Sequence, residues 1–511
     1  MEVFFRAQEY NQCYKEEAMN IIAQTSRIFC LLIMITACDT AVNKNVELEL
    51  IGSVKPTNAN EIESSNWIIG CETLDRDYAN YDAYKEYLVP LGIKRIRLQG
   101  GWAKTEKEKG KYDWTWLDHI INDAVSKGLD PWVQLSYGNN IYEGGGGINL
   151  AGGIPISDEA LLAWDKWVLT MVNRYKDKVG DWEIWNEPNF GDNKMNTAEI
   201  TADFNIRTVD IIKKEQPEAR VSGLAMGHID LSFADEFFKI LSANQKLHLF
   251  DNMVYHDYVY NPDSNYDKVI KLREILHSYG NTLPLRQGEN GAPSEGGPGR
   301  GAIGDYNWNE LSQAKWDTRR MLGDLGHDIE SSVFTIIDIA YTAGPITKLN
   351  VKGLIESDST KNAIRPKIAY NAVQNVASIF DNSLIRIKEI EQKKGAVDTL
   401  KSPIVRYQKS IPDGISFFGY EHRETKKQIF TIWKHDSIPN NSSDKESVDF
   451  TISNINIENP VYVDVITGNV YSIPSSMWAK NEKEYTFKSL PIYDAPILIA
   501  DKSLIKIDSI N

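Results

Sequence analysis

A chain of 511 residues exceeds what one hydrophobic core usually supports, so at least two domains are expected, one of them large. With 42% hydrophobic and 25% charged residues, the composition excludes a disordered, collagen-like or multi-pass membrane chain. Acidic residues outnumber basic ones by 71 to 56, and a net charge of −15 repels phosphate backbones, so nucleic acid is not an expected partner. The 13 Trp and 24 Tyr offer flat apolar faces that suit sugar rings, although most of them are expected in cores.

In chain order, the first feature is Arg27 followed by the apolar run Ile28 to Ile35 and then Thr36, Ala37 and Cys38. The run is too short to span a bilayer and reads as a signal peptide over residues 1–37, with Met19 as the expected functional start because the stretch before it is acidic. The tetrapeptide Ile35 to Cys38 resembles the bacterial lipoprotein pattern, in which the cysteine is lipidated; this implies export and a lipid anchor at Cys38 as the only membrane contact. Of the remaining cysteines, Cys13 and Cys30 precede the cleavage point and Cys71 stands alone, so neither a disulfide framework nor a metal cluster is expected, and no cofactor.

Residues 38–62 form a polar tether whose alternating run Val46, Leu48, Leu50 could lend one strand to a later sheet. Strand signals then begin near Trp67, Arg95, Trp132, Trp182, Arg220, Met253, Leu283 and Val333. Helical stretches separate them. The clearest carries Leu117, Ile120, Ile121, Ala124 and Val125 on one face with Gly128 at its end; another follows Ser157 to Tyr175, and a third runs from Tyr266 to Tyr279. Eight strand–helix units without a glycine-rich phosphate loop predict an α/β fold, a (β/α)8 TIM barrel over 63–382. Beyond it, the runs at 384–390, 415–420, 429–433, 448–452, 461–466, 470–473, 485–487 and 492–499 predict a C-terminal β-sandwich over 383–511.

In such a barrel, chemistry sits at the C-terminal ends of strands. The fourth candidate ends in Trp185-Asn186-Glu187-Pro188-Asn189, where the proline is expected to hold Glu187 extended at the rim. The seventh ends in Arg286-Gln287-Gly288-Glu289-Asn290-Gly291, where the flanking glycines are expected to let a substrate approach. Two carboxyl groups across a barrel mouth are what glycosidic cleavage needs: one protonates the departing oxygen while the other attacks the anomeric carbon. Asn186 would donate to the sugar 2-hydroxyl. Glu72, just after strand one, is either part of this site or a structural ion pair.

The Asn186-Glu187-Pro188 and Gly288-Glu289-Asn290 segments resemble clan A retaining glycoside hydrolases, family 39 above all (the β-xylosidase and α-L-iduronidase family). The likeness spans roughly residues 63–382 and includes Gly92 to Arg97, Trp102 to Leu117, Pro131 to Gln134, and His256-Asp257-Tyr258. It implies Glu187 as acid/base, Glu289 as nucleophile and a covalent glycosyl-enzyme intermediate. It also implies Arg97 and Tyr258 beside the nucleophile and His256 lining the subsite or tuning the acid. Trp102, Trp132 and Gln134 fall in the same matching stretches; the two tryptophans are expected to pack with one edge at the cleft. The stretch Thr335 to Tyr341, taken as strand eight, lacks the tryptophan that many clan members use as a sugar platform, which leaves Tyr341 or Trp308 for that place. The expected function is retaining hydrolysis of a polysaccharide or oligosaccharide, with a β-xyloside as the leading substrate. The competing readings are a non-catalytic glycan-binding lipoprotein and a transglycosylase using the same glutamate pair.

Overall fold

The computed structural model describes residues 48–190, 196–343, 346–388, 405–407, 414–453, 455–481 and 484–509. The signal segment, Cys38 and the start of the tether, up to residue 47, lie outside the described residues. The strand expected at 46–50 is seen as β1 (Glu49–Val54), shifted later in the chain.

The strand signals close into a barrel of eight parallel strands: β2 (Trp67–Gly70), β3 (Arg95–Gln99), β4 (Asp130–Leu135), β5 (Asp181–Ile184), β6 (Arg220–Met226), β7 (Asn252–Tyr255), β8 (Leu285–Asn290) and β9 (Glu330–Val333). Each pairs with its neighbour in sequence, and β9 returns to β2 through Trp67 to Ile69. The eighth strand is a correction, because it ends at Val333, where it was expected to begin. After β9 the Ile336 N–H donates to the Gly70 carbonyl, and the chain leaves the barrel for a hairpin of β10 (Ile339–Ala343) and β11 (Ile346–Asn350). Ile336, Ile337 and Ile339 are all buried. A short apolar run reads alike for a barrel strand and for a buried loop. A second hairpin, β12 (Ile355–Ser357) and β13 (Ala363–Pro366), follows.

The barrel strands alternate polar and apolar residues in an unusual sense. Arg95, Arg97 and Gln99 share one face of β3, and Ile96 and Leu98 share the other, as the period of two requires. The polar face lies inside. Trp132 of β4 is sandwiched between the guanidinium of Arg97, 5.2 Å from its ring centroid, and that of Arg286, 4.5 Å away. Arg286 pairs with Asp181 at 2.9 Å and Glu330 at 2.8 Å, both at the N-terminal ends of their strands, and so braces the base of the barrel.

The helices follow their signals. Thr115–Ser126 ends before Gly128, whose φ of 75° is the left-handed conformation that a glycine tolerates. The Ser157 side chain accepts from the Ala160 N–H at the start of Asp158–Tyr175. Among the described residues no helix is long and apolar enough to cross a membrane.

After the helix Ile368–Ile379 the regular structure of the described residues is β apart from a 3-10 turn at Lys502–Leu504. The strands are β14 (Leu384–Arg386), β15 (Val405–Tyr407), β16 (Ile415–His422), β17 (Gln428–Lys434), β18 (Glu446–Ser453), β19 (Pro460–Asp464), β20 (Asn469–Ser472), β21 (Trp478–Asn481), β22 (Glu484–Ile492), β23 (Ile497–Asp501) and β24 (Ile507–Ser509). An eight-stranded antiparallel sheet runs β14-β16-β17-β23-β19-β20-β1-β24, and a four-stranded one runs β15-β18-β22-β21. The expected single strand 492–499 is split between β22 and β23 by the segment holding Pro496. The helix Glu310–Gly326 fastens barrel to sandwich: its buried Lys315 Nζ reaches Asp494 Oδ1 at 2.5 Å and the Ser442 carbonyl.

Candidate active site

The two glutamates stand at the C-terminal ends of β5 and β8. The backbone at Glu187 is not extended as its proline predicted; φ is +65° at Trp185 and +48° at Glu187. The Glu187 N–H donates to the Ala225 carbonyl on β6, where the register slips between Gly223 and Met226 and Leu224 and Ala225 are also left-handed. Long-range hydrogen bonding to this bulge overrides the local proline preference and aims the carboxyl group inward. The glycines around Glu289 serve packing rather than substrate. A Cβ on Gly288 would sit 2.4 Å from Val254 Cγ1, and one on Gly291 would sit 2.1 Å from the Phe334 carbonyl oxygen.

One carboxylate oxygen of Glu187, one of Glu289 and a ring nitrogen of His256 lie within 4.8 Å of one another. His256 Nδ1 is 2.7 Å from Glu187 Oε1 and 3.7 Å from Glu289 Oε2. Tyr258 Oη donates to Glu289 Oε1 at 2.9 Å, and Arg97 Nη1 donates to Oε2 at 3.0 Å. Burial alone pushes the Glu289 carboxyl up, but His256, Arg97 and Tyr258 together outweigh it and hold the group below its usual range. For His256 the balance runs the other way. Burial disfavours the imidazolium, yet the charge of Glu289 and the hydrogen bond to Glu187 raise its pKa above the ordinary histidine value. The three groups are close enough to hold a cation, but the Arg97 guanidinium already supplies positive charge there.

Arg97 organises the floor. Its Nε and Nη2 form a fork on Glu183 at 2.8 and 3.2 Å, Nη2 also donates to Asn186 Oδ1 at 3.0 Å, and Nη1 donates to Glu72 Oε1 at 2.6 Å. Asn186 Oδ1 accepts a second bond from Gln134 Nε2 at 2.9 Å, which fixes the amide orientation. Its Nδ2 donates to Tyr137 Oη at 2.7 Å, and one amide hydrogen is left for a ligand. Glu72 thus belongs to the cluster.

Three expected residues are not brought to the cleft. Trp102 is fully buried, stacked on Tyr142 and Trp167, with Nε1 donating to Glu106. Trp132 is fully buried inside the barrel. Trp308 packs with Ala292 and Trp316 and donates to the Ile303 carbonyl, so it presents no free face. Tyr341, on β10, does approach the site. Burial pushes its phenol up to about 12, with Arg76 lowering it and Glu289 raising it. Its ring meets Tyr78 edge-on at 5.2 Å.

Sequence reasoning missed Glu183 and Tyr137 and gave Lys352 no role. Glu183 carried a signal, a charge alternating with the apolar Trp182 and Ile184 on β5. Tyr137 had none beyond lying past the end of β4. Lys352 comes from the segment after β11; its Nζ donates to the Ala302 carbonyl at 2.6 Å and lies 5.5 Å from the Tyr258 ring centroid. Burial pulls its pKa down to about 7 against the opposing pull of Glu289 and Asp317.

No protein-family model matches the chain. Several solved structures share its fold. A family 39 glycoside hydrolase from the gut symbiont Bacteroides cellulosilyticus WH2 aligns with 17% identity over 88% of this chain and 83% of its own, at a TM-score of 0.58. A monomeric β-xylosidase from Caulobacter crescentus CB15 aligns with 16% identity over 89% of this chain and 98% of its own, at 0.54. The catalytic domain of a family 30 xylanase C from Talaromyces cellulolyticus aligns with 9% identity over 89% and 98%, also at 0.54. The shared architecture is the closed barrel with an attached antiparallel β domain.

Proposed function

We propose that the chain is a retaining glycoside hydrolase in which Glu187 is the acid/base and Glu289 the nucleophile. One observation carries the reading: two carboxyl groups on opposed barrel strands bring oxygens within 4.8 Å of each other, near the roughly 5 Å spacing of direct attack and short of the roughly 6.5–9.5 Å that leaves room for an inverting water. The solved enzymes of like fold support it.

The surroundings divide the roles. Glu289 accepts from a cation and a phenol and is kept ionised, as a nucleophile must be. Glu187 lies against His256 and receives no guanidinium contact, so it is the group free to carry and transfer a proton. In the first step a Glu289 oxygen bonds to the anomeric carbon while the leaving oxygen takes the proton of Glu187. In the second, Glu187 takes a proton from water as that water cleaves the ester. The free Nδ2 hydrogen of Asn186 is placed to meet the sugar 2-hydroxyl. A β-xyloside is the leading substrate, from the likeness to family 39 and to the β-xylosidase above. We also infer from Ile35 to Cys38 that the enzyme works outside the cytoplasm on a lipid anchor; replacing Cys38 by Ser should release it from the membrane fraction.

A panel of activated aryl glycosides tests the activity. Glu289→Gln is expected to abolish turnover of whichever member is cleaved, and turnover that survives this change would exclude Glu289 as nucleophile.

A further inference from the structure

Two buried carboxyl groups at the site, Glu72 and Glu183, have no part in the two steps above. Arg97 has five N–H groups and all are committed: two to Glu183, one to Asn186, and those of Nη1 to Glu72 and Glu289. A single positive charge therefore faces three carboxyl groups, with Arg97 and Glu183 fully buried and Glu72 nearly so. If all three were ionised, two negative charges would be left uncompensated away from water, the condition under which one carboxyl keeps its proton.

Counting donors identifies which one. Glu183 takes the guanidinium fork, and Glu289 takes Arg97 and Tyr258 and faces His256. Among the described residues Glu72 takes a single side-chain donor, Arg97 Nη1, the nitrogen it shares with Glu289. Burial pushes its carboxyl up to about 8; Arg97 opposes this, and the charges of Glu289 and Glu183 add to it. The other titratable groups around it are neutral near pH 7, since burial raises Cys71 on its own loop, Tyr84 on the helix Tyr81–Leu88, Tyr258 after β7 and Tyr341 on β10.

We propose that Glu72 is a charge-compensating carboxyl group: it keeps its proton while Glu289 is a free carboxylate and releases it when Glu289 becomes an ester, so that Arg97 Nη1 always faces one ionised carboxylate. The proposal rests on Glu289 being the nucleophile. When the Glu289–sugar bond forms and the leaving oxygen takes the proton of Glu187, the ester carries no charge while Arg97 keeps its own. The O–H bond of Glu72 then breaks and its proton passes to water. When water cleaves the ester, Glu289 regains its charge and Glu72 takes a proton back. Glu72 is a positioning residue that acts through Arg97.

The test is carboxyl NMR of the full chain labelled with 13C-glutamate, in the wild type, Glu289→Gln and Glu72→Gln. A glutamate titrating near pH 8 is expected in the wild type and absent from Glu72→Gln. In Glu289→Gln, which mimics the uncharged ester without turnover, the same carboxyl is expected to titrate about one pH unit lower or more. A titration that does not move in Glu289→Gln, or that persists in Glu72→Gln, overturns the proposal. If Glu72→Gln does not fold, the wild type and Glu289→Gln still decide it. On a cleaved aryl glycoside, kcat/KM of the wild type should fall along an alkaline limb near pH 8 that Glu72→Gln lacks. The NMR comparison needs no substrate, so a chain that cleaves no glycoside sinks the proposed function, whereas an active enzyme with an unmoved carboxyl sinks the role of Glu72 alone.

Discussion

Removing the Tyr258 hydroxyl takes one of two hydrogen-bond donors from Glu289 while leaving the ring in place. A hydrogen bond to a charged group is worth about 1.5–3 kcal/mol, and one pKa unit is about 1.4 kcal/mol. Tyr258→Phe should therefore raise the depressed pKa of Glu289 by about one to two units. Since the nucleophile must be ionised, the acid limb of kcat/KM moves to higher pH by that amount; an unmoved limb would mean that Tyr258 does not stabilise the carboxylate. Glu187→Gln makes the complementary test. It should slow glycosides with poor leaving groups by about 10²–10⁴-fold and activated aryl glycosides far less, because only the former need protonation. Equal losses on both would argue against Glu187 as the acid.

Among the elements, the helix Glu310–Gly326 carries the junction of the two domains. Lys315 lies fully buried against Asp494, so Lys315→Met leaves that carboxylate without its cation and should cost about 3–5 kcal/mol, read as a lower midpoint in urea. The element level is also where the sequence was most and least legible. Barrel strands and helices announced themselves because each combines a strong period with a capping or glycine signal, as Ser157 and Gly128 do. Strand eight was misplaced because the buried run Ile336 to Ile339, which follows the barrel strand, has the same apolar pattern as a barrel strand. Within the site, Glu187 and Glu289 were legible from motifs at strand ends, whereas Arg97, His256 and Tyr258 came only through the resemblance to family 39. The left-handed turn at Glu187 was not legible, since it depends on the Ala225 carbonyl of another strand. The tryptophans misled for a related reason: composition reveals an aromatic ring but not which of its faces is covered, and Trp102 and Trp308 have both covered.

For the molecule as a whole, the same barrel is braced at one end and charged for chemistry at the other. At the base, burial pushes Glu330 up, but Arg286, Arg95 and Arg220 outweigh it and hold the carboxyl well below its usual range. A depressed folded pKa contributes stability above the unfolded value of about 4.3 and loses it as pH falls through the folded value. Glu330→Gln should thus flatten the loss of stability below about pH 4.3 in urea titrations; an unchanged acid slope would show that the brace carries none of it. At the mouth, the proposed roles of Glu187 and Glu289 depend on the short spacing of their carboxyl groups. The measurement that meets this most directly is NMR of the first-formed sugar from a cleaved glycoside, taken before the anomers equilibrate. Direct attack by Glu289 predicts a product with the anomeric configuration of the substrate; an inverted product would contradict the covalent intermediate and with it the roles assigned to Glu187 and Glu289.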